Sequence, residues 1–470
     1  MMLQRQSLYL WEQITNHVAL FFPPRAQELL RQTEIVFVPL RDALNLRKQA
    51  IAIPIDIPAP FAPERLYQVE FNGTNLTLWH QLPIPDGEGW SCLPQATHPL
   101  WFRHGSGTLI PAFNMFATMM DLLTLREERE LPQRDLHGRF PAEGSPRCDM
   151  GLLEVPVFNE AVAALVAACA GLAEEGWPKF NLENVTPSVF MVLSHDCDIL
   201  LGNDLITQAI RCFRIFQPLM HAKVPRVMNI WWLMRNTLRP KDFYFDNVTG
   251  MVEVERMFGC TSAFYMLNGA GGRFGARSGS EVIPQVCEGI PKDWQLGMHY
   301  NYDTFLDHEQ FAAQKRELER LLKREIKSGR AHYLRFDPVK SWSFLAECGI
   351  KCDETVGYPA HVGYRCGIAG LFQPFDLARG ERLDLWEVPM AINEGSLLQQ
   401  YPRDPISAFQ KILVHLSRLG GALSILIHPG HFFNPEFPQY LGLYRRILGI
   451  SKKHVSRGCA ALSLVEKLNS

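Results

Sequence analysis

The sequence predicts an α/β protein built on a parallel sheet, a barrel or a doubly wound sheet, with an α+β domain in front of it. Two observations carry this. From Ser188 onward, strand-like and helix-like segments alternate over about 280 residues, the pattern of repeated β-then-α units. The residues before that point read differently, with Pro-rich stretches and a hairpin signal but no such alternation. The expected boundaries are residues 1–185 for the α+β domain and 186–470 for the parallel α/β domain.

Each element follows from local chemistry. Ile53-Pro-Ile-Asp-Ile-Pro-Ala-Pro60 is Pro-rich, and Tyr67–Phe71 and Thr74–Trp79 flank Asn72-Gly73, the pair favoured by type I′ hairpin turns. Helical segments are expected at Phe113–Glu130 and Asn159–Glu175, with a polar loop, Arg134–Phe140, between them. In that loop Asp135, His137 and Arg139 read as a salt-bridged turn. The longest apolar run, Ala161 to Ala173, is bounded by Glu160 and Glu174; it is too short to span a bilayer and reads as a core helix. Strands are expected at 188–195, 261–267, 294–299, 330–335, 350–355, 384–391, 422–428 and 460–464. Helices are expected at 203–218, 307–328, 338–348, 404–419 and 436–448, the second of them stopping at Gly329.

Composition narrows the function. With 47% hydrophobic and 20% charged residues the chain is globular, and its 470 residues suit two domains. A formal net charge of −2 without a basic tract argues against a nucleic-acid partner. The N-terminus shows no signal-peptide pattern, and the 11 scattered cysteines form no CxxC pairs, so a cytoplasmic protein with reduced thiols and no transmembrane segment is expected. Oligomeric state is left open.

The chemistry concentrates at strand ends. The run Ser194-His195-Asp196-Cys197-Asp198 closes the apolar segment Ser188–Leu193. Side chains alternate along a strand, so Asp196 and Asp198 face the same way and Cys197 the other. Two carboxylates side by side repel unless a cation or a proton lies between them. Four further polar clusters follow expected strands: Gly297-Met-His299-Tyr-Asn-Tyr-Asp303, Arg330-Ala-His332-Tyr333-Leu-Arg335, Gly363-Tyr-Arg365-Cys-Gly367 and Leu426-Ile-His428-Pro429. His299 and Asp303 are i, i+4 and share a face if a helical turn begins there; with Asp198 they would give one divalent metal mixed N/O ligation. His195 could itself be a ligand or orient one. Asn268–Arg277 is Gly-rich but lacks the phosphate-loop pattern, and reads as a flexible or substrate-covering loop.

In their order, these motifs resemble the polysaccharide deacetylase superfamily (carbohydrate esterase family 4). The family's T-F-D-D reads here as Ser194–Asp198 with one residue inserted between the carboxylates. Its H-S/T-x-x-H reads His299-Tyr-Asn-Tyr-Asp303, its R-x-P-Y reads Arg330-Ala-His332-Tyr333, and its L-x-H reads Leu426-Ile427-His428. The departures resemble a divergent branch that carries an uncharacterised N-terminal domain, and the likeness covers roughly residues 90–470. The resemblance implies a distorted (β/α) barrel of about seven units, a divalent metal, usually Zn2+, and an acetylated saccharide substrate. It assigns Asp196 as base, Asp198 and His299 as metal ligands, and Asp303 as the next ligand with His332 competing for the role. It further assigns Arg330 or Arg365 as the partner of Asp196, the Tyr333 backbone N–H as oxyanion donor, and His428 as general acid.

That division of labour is what amide hydrolysis requires: an activated water, a stabilised oxyanion and a protonated leaving nitrogen. Two other functions compete. One is a carbohydrate-binding relative that has lost its metal with the change to Asp303. The other is a D-x-D phosphatase, disfavoured by Leu200 where that chemistry places a Thr.

Overall fold

A computed structural model describes residues 1–58, 66–71, 74–79, 81–83, 85–86, 89–93, 99–173, 186–201, 205–221, 227–269, 274–432, 434 and 437–470. Nine strands form one wholly parallel sheet: β1 (Val189–Cys197), β2 (Ala263–Leu267), β3 (Gln295–Tyr300), β4 (Ser328–Ala331), β5 (Cys352–Asp353), β6 (Trp386–Glu387), β7 (Ile392–Asn393), β8 (Gly421–Leu426) and β9 (Arg457–Cys459). Their order is β6-β5-β4-β3-β2-β1-β8-β7, with β9 added against β1. The end strands β6 and β7 are neighbours in sequence but share no ladder among the described residues. The sheet is therefore a distorted (β/α) barrel, open at one seam.

Close approach explains two glycines. A Cβ on Gly329 in β4 would meet the Met298 carbonyl at 2.1 Å and the Tyr300 ring at 2.4 Å. One on Gly297 in β3 would meet the Tyr265 ring at 2.6 Å. Bare backbone at these points lets the two tyrosine rings, both buried, fit between strands.

The N-terminal half has its own five-stranded sheet, ordered Ile35–Val38, Ala50–Pro54, Thr108–Pro111, Trp101–His104 and Trp90–Leu93. The expected hairpin pairs Leu66–Phe71 with Thr74–Trp79 antiparallel; its Asn72-Gly73 turn lies outside the described residues. Five helices matter below: α1 (Met2–Phe21), α2 (Arg126–Glu130), α3 (Val157–Ala173), α4 (Leu205–Phe216) and α5 (Val227–Leu238). The apolar run 161–173 lies within α3, which is buried along nearly its whole length. Its two early polar side chains are both used: Asn159 Nδ2 donates to the Ala369 and Gly420 carbonyls at 2.9 and 2.7 Å and its Oδ1 accepts from Ala369 N–H at 3.0 Å, while Glu160 Oε2 accepts from Thr77 N–H at 2.6 Å and its Oε1 lies 3.1 Å from His415 Nε2. A single hydrophobic core takes in α1, α3 and the barrel strands. The expected boundary between 185 and 186 falls at the edge of 174–185, outside the described residues.

Two element expectations are corrected. The helix expected over 307–328 spans only His308–Leu322, capped by Asp307 accepting from Gln310 N–H at 3.0 Å. It ends because Lys323 turns left-handed (φ 51°), and Gly329 lies inside β4. The strand expected at 460–464 is helix, Ala461–Asn469, with Ala461, Leu464 and Val465 on its buried face. The period is three to four, not two; the strand there is β9, just upstream.

Candidate functional site

The site sits at the carboxyl ends of the central strands, where parallel α/β folds build their sites. β1 delivers Asp196 and, one residue past its end, Asp198. In the neighbouring register His299 of β3 stands opposite Arg330 of β4, so both side chains project on the same side. His332 follows β4 directly, and His428 follows β8 by two residues.

Three of these converge. Ligand atoms of Asp198, His299 and His332 all lie within 4.8 Å of one another. His299 Nε2 is 3.0 Å and His332 Nε2 3.9 Å from Asp198 Oδ1. A tetrahedral metal with bonds of about 2.0–2.1 Å needs its ligand atoms roughly 3.3 Å apart, which this spread brackets.

The donor set fits a cation on chemical grounds too. His299 Nδ1 lies 2.9 Å from the Arg330 carbonyl, and His332 Nδ1 lies 2.9 Å from the Phe274 carbonyl. A carbonyl only accepts, so each Nδ1 carries the hydrogen and each Nε2 can turn a lone pair to the common point. Asp198 Oδ1, though 3.0 Å from His299, is a buried oxygen with no hydrogen-bond partner among the described residues, as expected if it too is aimed at that point. Burial works against the Asp198 carboxylate, but the imidazoles of His332, His299 and His428 override it and hold its pKa well below the usual range. Burial carries His332 down to about 4. His299 goes the other way: burial would lower it, but the carboxylates of Asp196 and Asp198 raise it.

Asp196 is fixed from behind. Arg330, wholly buried, donates from Nη1 to Asp196 Oδ1 (2.8 Å), from Nη2 to Ser194 Oγ (2.7 Å) and Glu354 Oε2 (3.0 Å), and from Nε to the Glu354 carbonyl (2.8 Å). Tyr265 hydroxyl donates to the other Glu354 oxygen. The cation thus serves two carboxylates, with each of its three nitrogens donating. This leaves Asp196 Oδ2 facing His299 Nε2 at 3.9 Å.

On the opposite wall, His428 Nδ1 donates to Glu394 Oε1 at 2.7 Å, and its Nε2 lies 3.8 Å from Asp198 Oδ2. The same Glu394 oxygen accepts from His428 backbone N–H at 3.2 Å and from His431 Nδ1 at 3.0 Å. Burial would lower the His428 imidazole, but Glu394 beside it raises it to about 10. The histidines in turn hold Glu394 well below the carboxylate range despite its burial.

Tyr333, at φ 61°, is a non-glycine residue in the left-handed region, pinned by Arg139 Nη1 donating to its carbonyl at 2.5 Å. Arg139 and Asp135 form the expected salt-bridged turn at 2.7 Å, and this turn reaches the site's rim. There the rings of His137, Phe274 and Tyr302 surround Tyr333 at 4.7, 4.9 and 5.7 Å. The cavity, about 390 Å³, is lined by Asp196, Asp198, His332, Tyr333 and His428 and by Thr207, Ile210, Arg211 and Arg214 of α4. Phe274 and Arg277 of the Gly-rich loop line it as well, while 270–273 lie outside the described residues.

Three sequence expectations land elsewhere. Asp303 is exposed on a short 3-10 turn, its N–H bonded to Asn301 Oδ1 at 3.1 Å. The chain leaves β3 into that turn, not into an α-helical one, so the i, i+4 argument does not apply; it is His332 whose Nε2 lies near Asp198, 3.9 Å from Oδ1. Arg365 does not touch Asp196. It is wholly buried, and donates from Nε and Nη2 to the two oxygens of Glu128 on α2, each at 2.6 Å. His195 points away from the cavity, with Nδ1 donating to the Ile427 carbonyl at 3.0 Å and Nε2 2.8 Å from Glu255 Oε1. Sequence reasoning missed Glu394, Glu354 and His431. The signal for Glu394 was present, since Asn393-Glu394 closes an apolar run much as Ser194–Asp198 does.

The sequence matches no family model and no curated protein. Solved structures that it resembles include one from Mycobacterium smegmatis described as a polysaccharide deacetylase, at 14% identity, TM-score 0.39, over 63% of this chain and 92% of that one. Another is the allantoinase PuuE, at 12% identity, TM-score 0.38, over 59% and 89%. A third, from Pseudomonas aeruginosa PAO1, is also described as a polysaccharide deacetylase, at 11% identity, TM-score 0.37, over 59% and 90%. These scores are too low to assign the chain to a family.

Proposed function

We propose that the protein is a metal-dependent hydrolase that removes acetyl groups from a saccharide. The observation that carries this reading is the placement of Asp198, His299 and His332 around one point, between a carboxylate held by an arginine and an imidazole held by a carboxylate. Asp198, His299 and His332 would hold the metal, with Zn2+ the ion best suited to one carboxylate and two imidazoles. When bound, such a metal polarises a carbonyl and lowers the pKa of water to about 7.

The chain's own residues supply the remaining steps. Asp196, kept in place by Arg330, accepts the proton of the attacking water. The Tyr333 N–H donates to the oxyanion, a contribution of about 3 kcal/mol for a well-placed donor. His428, oriented and kept protonated by Glu394, gives its proton to the leaving amine. The aromatic rim of Tyr333, His137, Phe274 and Tyr302 suits the apolar face of a sugar ring.

The phosphatase alternative expects a Thr two residues past its D-x-D, where this chain has Leu200. The loss-of-metal alternative rested on Asp303; the grouping of Asp198, His299 and His332 supports a metal site that does not need it. The test is acetate release from acetylated amino-sugar oligomers by metal-loaded protein. Release abolished by chelator and restored by zinc supports the reading; no release across a range of acetylated sugars, with metal bound, sinks it.

A further inference from the structure

Beside the cavity, α4 and α5 pack on each other through their inner faces. The Arg211 guanidinium lies 5.1 Å from the Trp232 ring, and the Thr237 hydroxyl donates to Gln208 Oε1 at 2.9 Å. Ile215, Trp232 and Leu233 are buried there. The outer faces are also apolar, and they are bare. On α5, Val227, Trp231, Met234 and Leu238 fall at i, i+4, i+7 and i+11, one helical stripe, and are 78%, 57%, 59% and 77% exposed. On α4, Phe213 is 61% exposed, and Met220 on the following 3-10 turn is 75% exposed. Such a concentration of exposed large apolar side chains marks an interaction surface.

Charge indicates what covers it. From Leu205 to Arg239 the sequence contains Arg211, Arg214, Arg235 and Arg239, with Lys223 and Arg226 between the two helices and outside the described residues, and no Asp or Glu, in a chain whose formal net charge is −2. Arg214 and Arg239 are exposed at this surface, Arg235 is half-buried beside Asp246, and Arg211 is buried on the inner face. Aromatic and aliphatic side chains interleaved with arginines, and no acid among them, are the composition of helices that lie in a bilayer interface. A second copy of this chain would bury the apolar stripes but would bring basic residues against basic residues. We propose that the outer face of α4 and α5 seats the protein on an anionic lipid bilayer. No helix among the described residues is long and apolar enough to cross a membrane, so this attachment is peripheral. Because α4 also supplies the cavity wall through Ile210, Arg211 and Arg214, docking brings that wall to the headgroups.

The test is co-sedimentation of the full chain with vesicles of phosphatidylcholine alone or with one-third phosphatidylglycerol. The expected result is binding to the anionic vesicles only. It is reversed in 1 M salt, where the screening length falls to about 3 Å. Phe213→Asp combined with Trp231→Asp should cut partitioning by about tenfold or more, since each buries a large ring in the interface. Both positions are exposed, so the thermal midpoint should hold; circular dichroism checks that the variant is folded. Three results would overturn the proposal: no partitioning of the native chain into anionic vesicles, equal partitioning by the double variant, or a concentration-dependent dimer that the double variant disperses without any vesicle binding. None of these readouts depends on hydrolysis, so the surface and the site stand or fall separately.

Discussion

Glu394→Gln isolates the second half of the acid–base arrangement. The substitution keeps the size of the side chain and one carbonyl oxygen, but removes the charge that faces His428 Nδ1 at 2.7 Å and His431 Nδ1 at 3.0 Å. Hydrogen bonds to an ionised partner contribute about 1.5–3 kcal/mol, against about 1 for neutral pairs, so the imidazole loses roughly 0.5–2 kcal/mol of the interaction that orients it and keeps it protonated. A displaced general acid typically costs between about 10²- and 10⁴-fold in rate. Glu394 reaches the reacting atoms through His428 while also holding His431, so kcat should fall by at least about tenfold while KM and bound metal stay near native and the thermal midpoint drops modestly. Steady-state acetate release, metal analysis and calorimetry read these separately. A kcat within twofold of native would refute the reasoning. So would a parallel loss of metal, which would make Glu394 part of the metal site.

Three other outcomes follow from the same structure. Asp196→Asn should slow turnover by about 10²–10⁴-fold with metal retained, measured by activity and metal content on one preparation; unchanged turnover would remove Asp196 from the base role. Arg365→Met should leave the Glu128 carboxylate buried without its partner and lower stability by roughly 3–5 kcal/mol in urea unfolding, whereas a midpoint near native would show the pair to be dispensable. His17 offers a pH test: its imidazole is buried, and burial lowers its pKa to about 3 from 6.5. The unfolded chain therefore binds a proton there first, so its contribution is fully present above about pH 6.5 and is lost as pH falls towards 3. His17→Leu should flatten stability against pH between those values by up to roughly 5 kcal/mol, and an identical slope in both proteins would contradict the burial argument.

Much of the site was legible because strands make it so. An apolar run closed by polar residues puts those residues at a strand's carboxyl end, and this singles out Asp196, Asp198, His299 and His428; Arg330 opens the strand expected at 330–335, which in the structure is Ser328–Ala331. Where the reading failed, it had assumed local structure beyond the strand. Asp303 needed a helical turn that Asn301 caps as 3-10 instead. Arg365 stood in a motif after a predicted strand, but its partner is Glu128, 237 residues earlier, and no local pattern announces that pairing. Seen with Arg147 on the neighbouring Glu127, it is a clamp holding α2 against the barrel. The parallel sheet was legible from the β-then-α alternation. Its two-residue strands β5, β6 and β7 were too short to be bounded by periodicity, and β7 had no candidate segment of its own.

The central claim is that Asp198, His299 and His332 hold one metal ion. The direct test is metal content of the native chain and of single alanine variants after chelation, zinc loading and desalting, with circular dichroism as the folding control. The account predicts about one equivalent per chain in the native protein and in Asp303→Ala. It predicts loss of most of that metal in Asp198→Ala, His299→Ala and His332→Ala. Native protein that retains no metal, or a His332→Ala variant that retains all of it while Asp303→Ala does not, would contradict it.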